Sequence, residues 1–80
     1  MYYVYLISSV DFPEETYIGD TTNIDQRLGE HNSGKSIYTQ RYKPWKIVSY
    51  FAFSCKDKAL DFERYLKSGA GRAFANKHLK

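Results

Sequence analysis

The chain opens on a dense apolar run. Residues 2–8, YYVYLIS, are aliphatic or aromatic at nearly every position, which predicts a buried strand. The stretch SVDFPEE at 9–15 carries the turn residues Asp11 and Pro13. Residues 16–19, TYIG, then read as a short second strand that closes a hairpin through a loop longer than a tight two-residue turn. From about residue 23 to 33 the pattern becomes helical, with Ile24 and Leu28 on one face. Thr21 and Thr22 are its candidate N-caps, and Asn32–Ser33–Gly34 ends it. Residues 35–44 are polar, basic and aromatic, end in Pro44, and read as a loop. A third strand follows at 45–53, WKIVSYFAF. Ser54 with Asp57 resembles a capping box that opens a helix over 55–68, with Gly69 as its C′ residue. Gly71 starts a short final helix. The order β-β-α-β-α-α describes an α+β fold, without repeat, linker or low-complexity segment.

Polar residues interrupt both helical stripes. Ile24, Arg27, Leu28 and His31 share one stripe, and Ala59, Phe62, Glu63 and Leu66 share another. A charge on a packing face loses solvation unless something pairs with it. Each residue has an ordinary explanation. Arg27 can snorkel to water, His31 can be merely packed or exposed, and Glu63 can bridge to Arg27, Lys67 or Arg64. Two such stripes in one small chain change the weighing. Arg27, His31 and Glu63 are expected to converge over the hairpin strands that carry Tyr5 and Tyr17.

Composition narrows the class. Eighty residues with 42 % hydrophobic and 26 % charged side chains suit one globular domain spanning 1–80. No apolar run approaches the roughly 18 residues of a membrane span, and the N-terminus lacks the pattern of a signal peptide. A single cysteine, Cys55, excludes a disulfide framework and a cysteine metal cluster and fits a reducing, cytoplasmic setting. The net charge of +3 conceals an asymmetry. Residues 1–34 hold one basic and six acidic side chains, whereas residues 35–80 hold eleven basic and three acidic ones. Such asymmetry points either to a polyanion-facing surface on the second half or to ordinary solvated lysine. In that half Lys35, Arg41, Lys43 and Lys46 alternate with Tyr38, Tyr42 and Trp45, a pattern that suits nucleic-acid phosphates and bases. Arg72, Lys77 and Lys80 form a second basic group. Trp45 itself is expected to be buried in the third strand.

An arginine, a carboxylate and two phenols around one cleft suit phosphodiester cleavage. The carboxylate holds a divalent ion, the arginine stabilises charge on the phosphoryl oxygens, and a phenol helps to activate water. A phenol near pKa 10 is a poor base at neutral pH unless a cation lowers it.

Taken together, Tyr3-Val4-Tyr5, Tyr17-Ile18-Gly19, Thr21, Arg27-Leu28 and His31-Asn32 resemble the GIY-YIG nucleases. So do Gly34-Lys35-Ser36, Tyr38-Thr39, Pro44-Trp45-Lys46, Ala59-Leu60, Glu63 and Tyr65-Leu66-Lys67-Ser68-Gly69. The resemblance is to small stand-alone members related to the N-terminal nuclease module of the UvrC repair enzyme, and it covers essentially the whole chain. It implies a three-stranded antiparallel sheet flanked by helices. It also implies hydrolysis of nucleic-acid phosphodiesters, DNA ahead of RNA, with one Mg²⁺ or Mn²⁺ and no nucleotide cofactor. By position, Glu63 matches the metal-binding glutamate, Arg27 the catalytic arginine, and Tyr5 and Tyr17 the motif tyrosines. His31 matches a His-or-Tyr position near the attacking water, and Asn76 loosely matches a C-terminal asparagine of some members. The expected nucleic-acid contacts are Lys35, Arg41, Lys43, Lys46 and Arg72. Tyr3 replaces the first motif's glycine, and Asp20 stands where relatives often carry Tyr or Lys. Asp20 raises the alternative of a binding module with weak or lost catalysis.

The segment Gly29–Ser36 also fits the phosphate-loop pattern G-x-x-x-x-G-K-[ST]. That loop works between a strand and a helix. Here a helix precedes it and a Pro-terminated loop follows, so nucleotide binding is rejected.

Overall fold

The structure is a computed structural model that describes residues 1–80. Its strands are β1 (Tyr2–Ser9), β2 (Thr16–Thr21) and β3 (Trp45–Phe53), and its helices are α1 (Ile24–Asn32), α2 (Lys56–Lys67) and α3 (Gly69–His78). The three strands form one antiparallel sheet in the order β2-β1-β3. The order β-β-α-β-α-α and the α+β class are as the sequence implied. No helix is long and apolar enough to cross a membrane.

β1 is the central strand and is covered on both sides, which explains its unbroken apolar run. Val4 faces α2 and packs with Ala59 and Leu66, joined by Ile18, Phe53, Phe62 and Phe74. Tyr5 and Ile7 face the other way and pack with Trp45, Leu28, Tyr17 and Ile47. An irregularity between Leu6 and Ile7 pairs Ile7 with Ile47 and Ser9 with Trp45. The extra residue in β3 keeps Ile47 and Trp45 on the Tyr5 face, where strict alternation would have turned them away. Trp45 is buried, as expected, and donates its indole N–H to the Thr39 carbonyl at 2.8 Å.

Several boundaries differ from the sequence expectation. The N-cap of α1 is Asn23, not Thr21 or Thr22; its side chain accepts from the Gln26 N–H at 3.1 Å. Thr21 shapes the preceding turn instead, accepting from the Asn23 N–H. The Ser54–Asp57 capping box does not form, because Cys55 holds the N-cap position without a side-chain bond. Gly69 follows the C-cap Ser68 and so stands at C′, but without the left-handed conformation of a helix-ending glycine, because it already belongs to α3. Ser68 closes α2 and caps α3, accepting from the Gly71 N–H at 3.2 Å, so α3 begins two residues earlier than Gly71. The loop after α1 contains a short 3₁₀ turn, Gln40–Tyr42, and Gly34 turns the chain out of α1 at φ 82°.

Candidate active site

On the α1 face of the sheet, Tyr5 of β1 and His31 of α1 meet in a buried hydrogen-bonded chain. The Tyr5 hydroxyl lies 2.8 Å from His31 Nε2, and His31 Nδ1 lies 2.6 Å from Thr39 Oγ1. His31 and Thr39 are fully buried and Tyr5 is 2 % exposed. Burial lowers the His31 pKa, and Arg27 lowers it further. Burial pushes the Tyr5 phenol up to about 12 even though Arg27, within hydrogen-bonding reach, pulls the other way. Both groups are therefore neutral near pH 7. Arginine only donates, so a bond from Arg27 leaves the Tyr5 O–H free to donate to Nε2. In the tautomer where Tyr5 donates to Nε2, the neutral ring donates its Nδ1–H to Thr39.

Tyr17 of β2 lies against this chain, its ring centroid 5.1 Å from that of His31 and 6.4 Å from that of Tyr5. Tyr17 is only half-buried and is the phenol of the pair with access to solvent. Gly19 makes room for both. A Cβ there would stand 2.5 Å from the Tyr5 hydroxyl and 3.1 Å from the Tyr17 ring. Arg27 is half-buried, held by Glu30 at 2.9 Å, and faces Tyr5.

Glu63 lies on the other side of the β2 edge. Asp20 pairs with Val4, so its side chain leaves the sheet on the α2 face, while Tyr17 and Gly19 leave on the opposite face. The Glu63 side chain is 13 % exposed, and its carboxylate accepts from Lys67 at 2.9 Å. Of the three ordinary partners considered for Glu63, Lys67 is the one it takes. Asp20 stands within hydrogen-bonding reach of Glu63; burial first and this second carboxyl next raise the Glu63 pKa, against the pull of Lys67. The two halves communicate through charge. Asp20 acts on both Tyr5 and Glu63, and Lys67 interacts with both Glu63 and Tyr17. Tyr5, Tyr17, Arg27 and His31 thus form one cluster, and Glu63 flanks it across the strand edge.

The family model of the GIY-YIG catalytic domain matches residues 1–77. The chain belongs to the GIY-YIG family. A UPF0213 protein of Natronomonas pharaonis is 37 % identical over 68 residues, spanning 84 % of this chain and 78 % of that protein. The structure-specific endonuclease subunit SLX1 of Debaryomyces hansenii is 34 % identical over 86 residues, spanning 99 % of this chain but only 24 % of that protein. The chain therefore corresponds to about a quarter of the length of that relative. The solution NMR structure of a UPF0213 protein from Bacillus halodurans superposes with a TM-score of 0.56 at 32 % identity, covering 96 % of this chain and 84 % of that one. The GIY-YIG domain and these relatives support a nuclease.

Within this GIY-YIG domain, two residues that the sequence showed only as motif positions make structural contacts it did not reveal. Thr39, in a stretch read only as loop, anchors both His31 and Trp45. Asn32 clamps the start of β3, accepting from the Trp45 N–H at 2.5 Å and donating to the Trp45 carbonyl at 3.2 Å. Neither contact leaves a periodic signal, because both join segments whose meeting depends on tertiary packing.

The expected nucleic-acid contacts divide. Lys35, Arg41 and Lys43 are exposed on the loop after α1, Lys46 is exposed on β3, and Arg72 is exposed on α3, which packs against α2. None of the five joins a salt bridge. The interleaved rings are not all available. Trp45 is buried, and Tyr42 packs edge-on against Phe12 at 5.5 Å. Tyr38 and its neighbour Ile37 are each 77 % exposed.

No three His, Cys, Asp or Glu side chains gather as a chelating group. The hard oxygens of Glu63, with Asp20 beside them, nevertheless fit Mg²⁺, which keeps several waters and takes only one or two protein carboxylates.

Proposed function

We propose that this domain is a metal-dependent endonuclease acting on DNA. The observation that carries the reading is the convergence of Arg27, Tyr5 and Tyr17 on one side of the β2 edge with Glu63 on the other. The exposed basic loop and the similarity to an endonuclease subunit support it.

Glu63, with Asp20 next to it, would hold the divalent ion. The ion's chemistry is to polarise the phosphoryl group and favour hydroxide over water. In the hydrolysis, the oxygen of water bonds to phosphorus and the bond from phosphorus to one sugar oxygen breaks. The attacking water gives up one proton, and the departing sugar oxygen gains one. Arg27 faces the phosphoryl oxygens and stabilises the charge that builds there. Tyr17, the solvent-facing phenol, orders the attacking water. Tyr5 and His31 lie deeper and hold Tyr17 and Arg27 in place. Lys35, Arg41, Lys43, Lys46 and Arg72 contact backbone phosphates, and that contribution weakens with salt.

Labelled single-stranded, duplex and branched DNA incubated with Mg²⁺, Mn²⁺ or EDTA tests the reading. Cutting is expected with either ion, none with EDTA, and none with Glu63→Ala. Cutting by Glu63→Ala at the wild-type rate would overturn the mechanism. The close approach of Asp20 to Glu63 favours a second reading, a DNA-binding module with weak catalysis. Salt-sensitive binding without metal-dependent cutting would establish it.

A further inference from the structure

A cavity of about 330 Å³ opens between β2, the end of α2 and α3. Its floor is aliphatic, formed by Leu6, Ile18, Leu66 and Ala75, and its rim carries Lys67, Arg72 and Lys80. No acidic side chain lines it. Lys67 is committed to Glu63, but Arg72 and, at the chain's last residue, Lys80 have no carboxylate partner. An unpaired cation over an apolar floor asks for a ligand with an anionic part and a flat or apolar part.

The cavity is preformed. A Cβ at Gly71 would collide with the Tyr65 carbonyl, so the first turn of α3 presses directly on the end of α2. Ser68 caps that turn through the Gly71 N–H. The two contacts fix the residue that precedes Arg72. The cavity also borders the candidate active site, since Tyr17 and Lys67 belong to both. Its Thr16 end lies on the same strand face as Asp20 and four residues away, about 13 Å at ~3.3 Å per residue. The cavity therefore meets the candidate site at Tyr17 and Lys67 and extends away from Asp20 toward Thr16.

We propose that this cavity seats one unpaired nucleotide of the substrate strand, its base on the aliphatic floor and its phosphate on Arg72. The assignment rests on the nuclease reading of the neighbouring cluster. Its size is at the small end of ligand pockets, about 300–1,000 Å³. It admits a splayed base and excludes a stacked base pair. The consequence is selectivity for strands with an unpaired nucleotide next to the scissile bond, obtained from shape rather than from base sequence.

The test is binding, measured by fluorescence anisotropy in EDTA so that it does not depend on cleavage. The probes are a labelled oligo-dT strand and a blunt duplex with the same number of phosphates. The variants are Arg72→Ala and Thr16→Phe, the latter filling the cavity from a strand position that tolerates an aromatic ring. Each variant is expected to weaken single-strand binding at least about five-fold more than it weakens duplex binding, the lower range for loss of one base contact. Circular dichroism of both variants should match the wild type. Equal loss on the two probes would make Arg72 a general surface cation and overturn the proposal, as would no loss on either. A free deoxynucleoside monophosphate that binds more tightly than the strand would also overturn it, by assigning the cavity to a small molecule. Failure of the nuclease reading shows up separately, as absence of metal-dependent cutting by the wild-type chain.

Discussion

The two faces of the β2–β1 hairpin hold the candidate catalytic groups in opposite physical states. On the α1 face, Tyr5, His31 and Thr39 form a dry, neutral chain with each ring group hydrogen-bonded. On the α2 face, Asp20, Glu63 and Lys67 form a charged group in which Asp20 and Lys67 are exposed. The first arrangement gains from low dielectric, because buried, satisfied polar groups are rigid and costly to disturb. The second remains adjustable, because its charges can exchange a lysine for water or a cation. A phosphodiester cleft placed at the shared strand edge draws geometry from one face and charge from the other.

The largest expected effect breaks the charged face. Glu63→Gln should lower the cleavage rate by ~10³-fold or more, since several kcal/mol of transition-state stabilisation pass through the ion. The melting temperature should barely move, because the lost pair with half-exposed Lys67 contributes under about 1 kcal/mol. Arg27→Ala should follow, with a loss of about 10²-fold in kcat measured at saturating metal, comparable to removing one oxyanion donor.

Breaking the neutral face should show in stability first. Thr39→Val leaves His31 Nδ1 without its partner and should cost about 1–3 kcal/mol in urea denaturation. Metal affinity should stay at the wild-type value. A coupled drop in metal affinity would show that the two faces act as one unit.

The pH dependence of stability sharpens the same contrast. The His31 pKa is lower in the folded chain than its ordinary value of 6.5, with burial the main cause. As pH falls, the unfolded chain takes up the proton first. The contribution of neutral His31 is therefore complete above about pH 6.5 and is lost as pH drops through the folded pKa. Denaturation curves should show this decline, and His31→Gln, which cannot titrate, should flatten it. The smallest effect belongs to Asp20→Asn. Removing the second carboxyl should move the Glu63 titration, followed by NMR, down toward the ordinary glutamate value.

Much of this was legible before any coordinates. The apolar run of β1, the helical stripes with Arg27 and Glu63 on them, and the order of elements follow from periodicity that any window of the chain displays. Helix boundaries were less legible. Asn23 wins the N-cap over Thr21 and Thr22 because Thr21 is consumed by the turn that brings β2 into α1. Ser68 can both end α2 and begin α3 only because Gly71 lets the two helices touch.

The sequence by itself determined which side chains are forced off solvent onto packing faces, since spacing along a helix or strand dictates the face. It also determined that residues 2–8 form a buried strand, because their dense apolar run suits cover on both sides. Tertiary structure alone decided that Thr39 meets His31, that Asp20 meets Glu63, and that Arg72 stands unpaired at a cavity beside Tyr17. These contacts join residues that no local period relates. They depend on how the β3 irregularity, the Gly19 gap and the α2–α3 corner set the distances between elements.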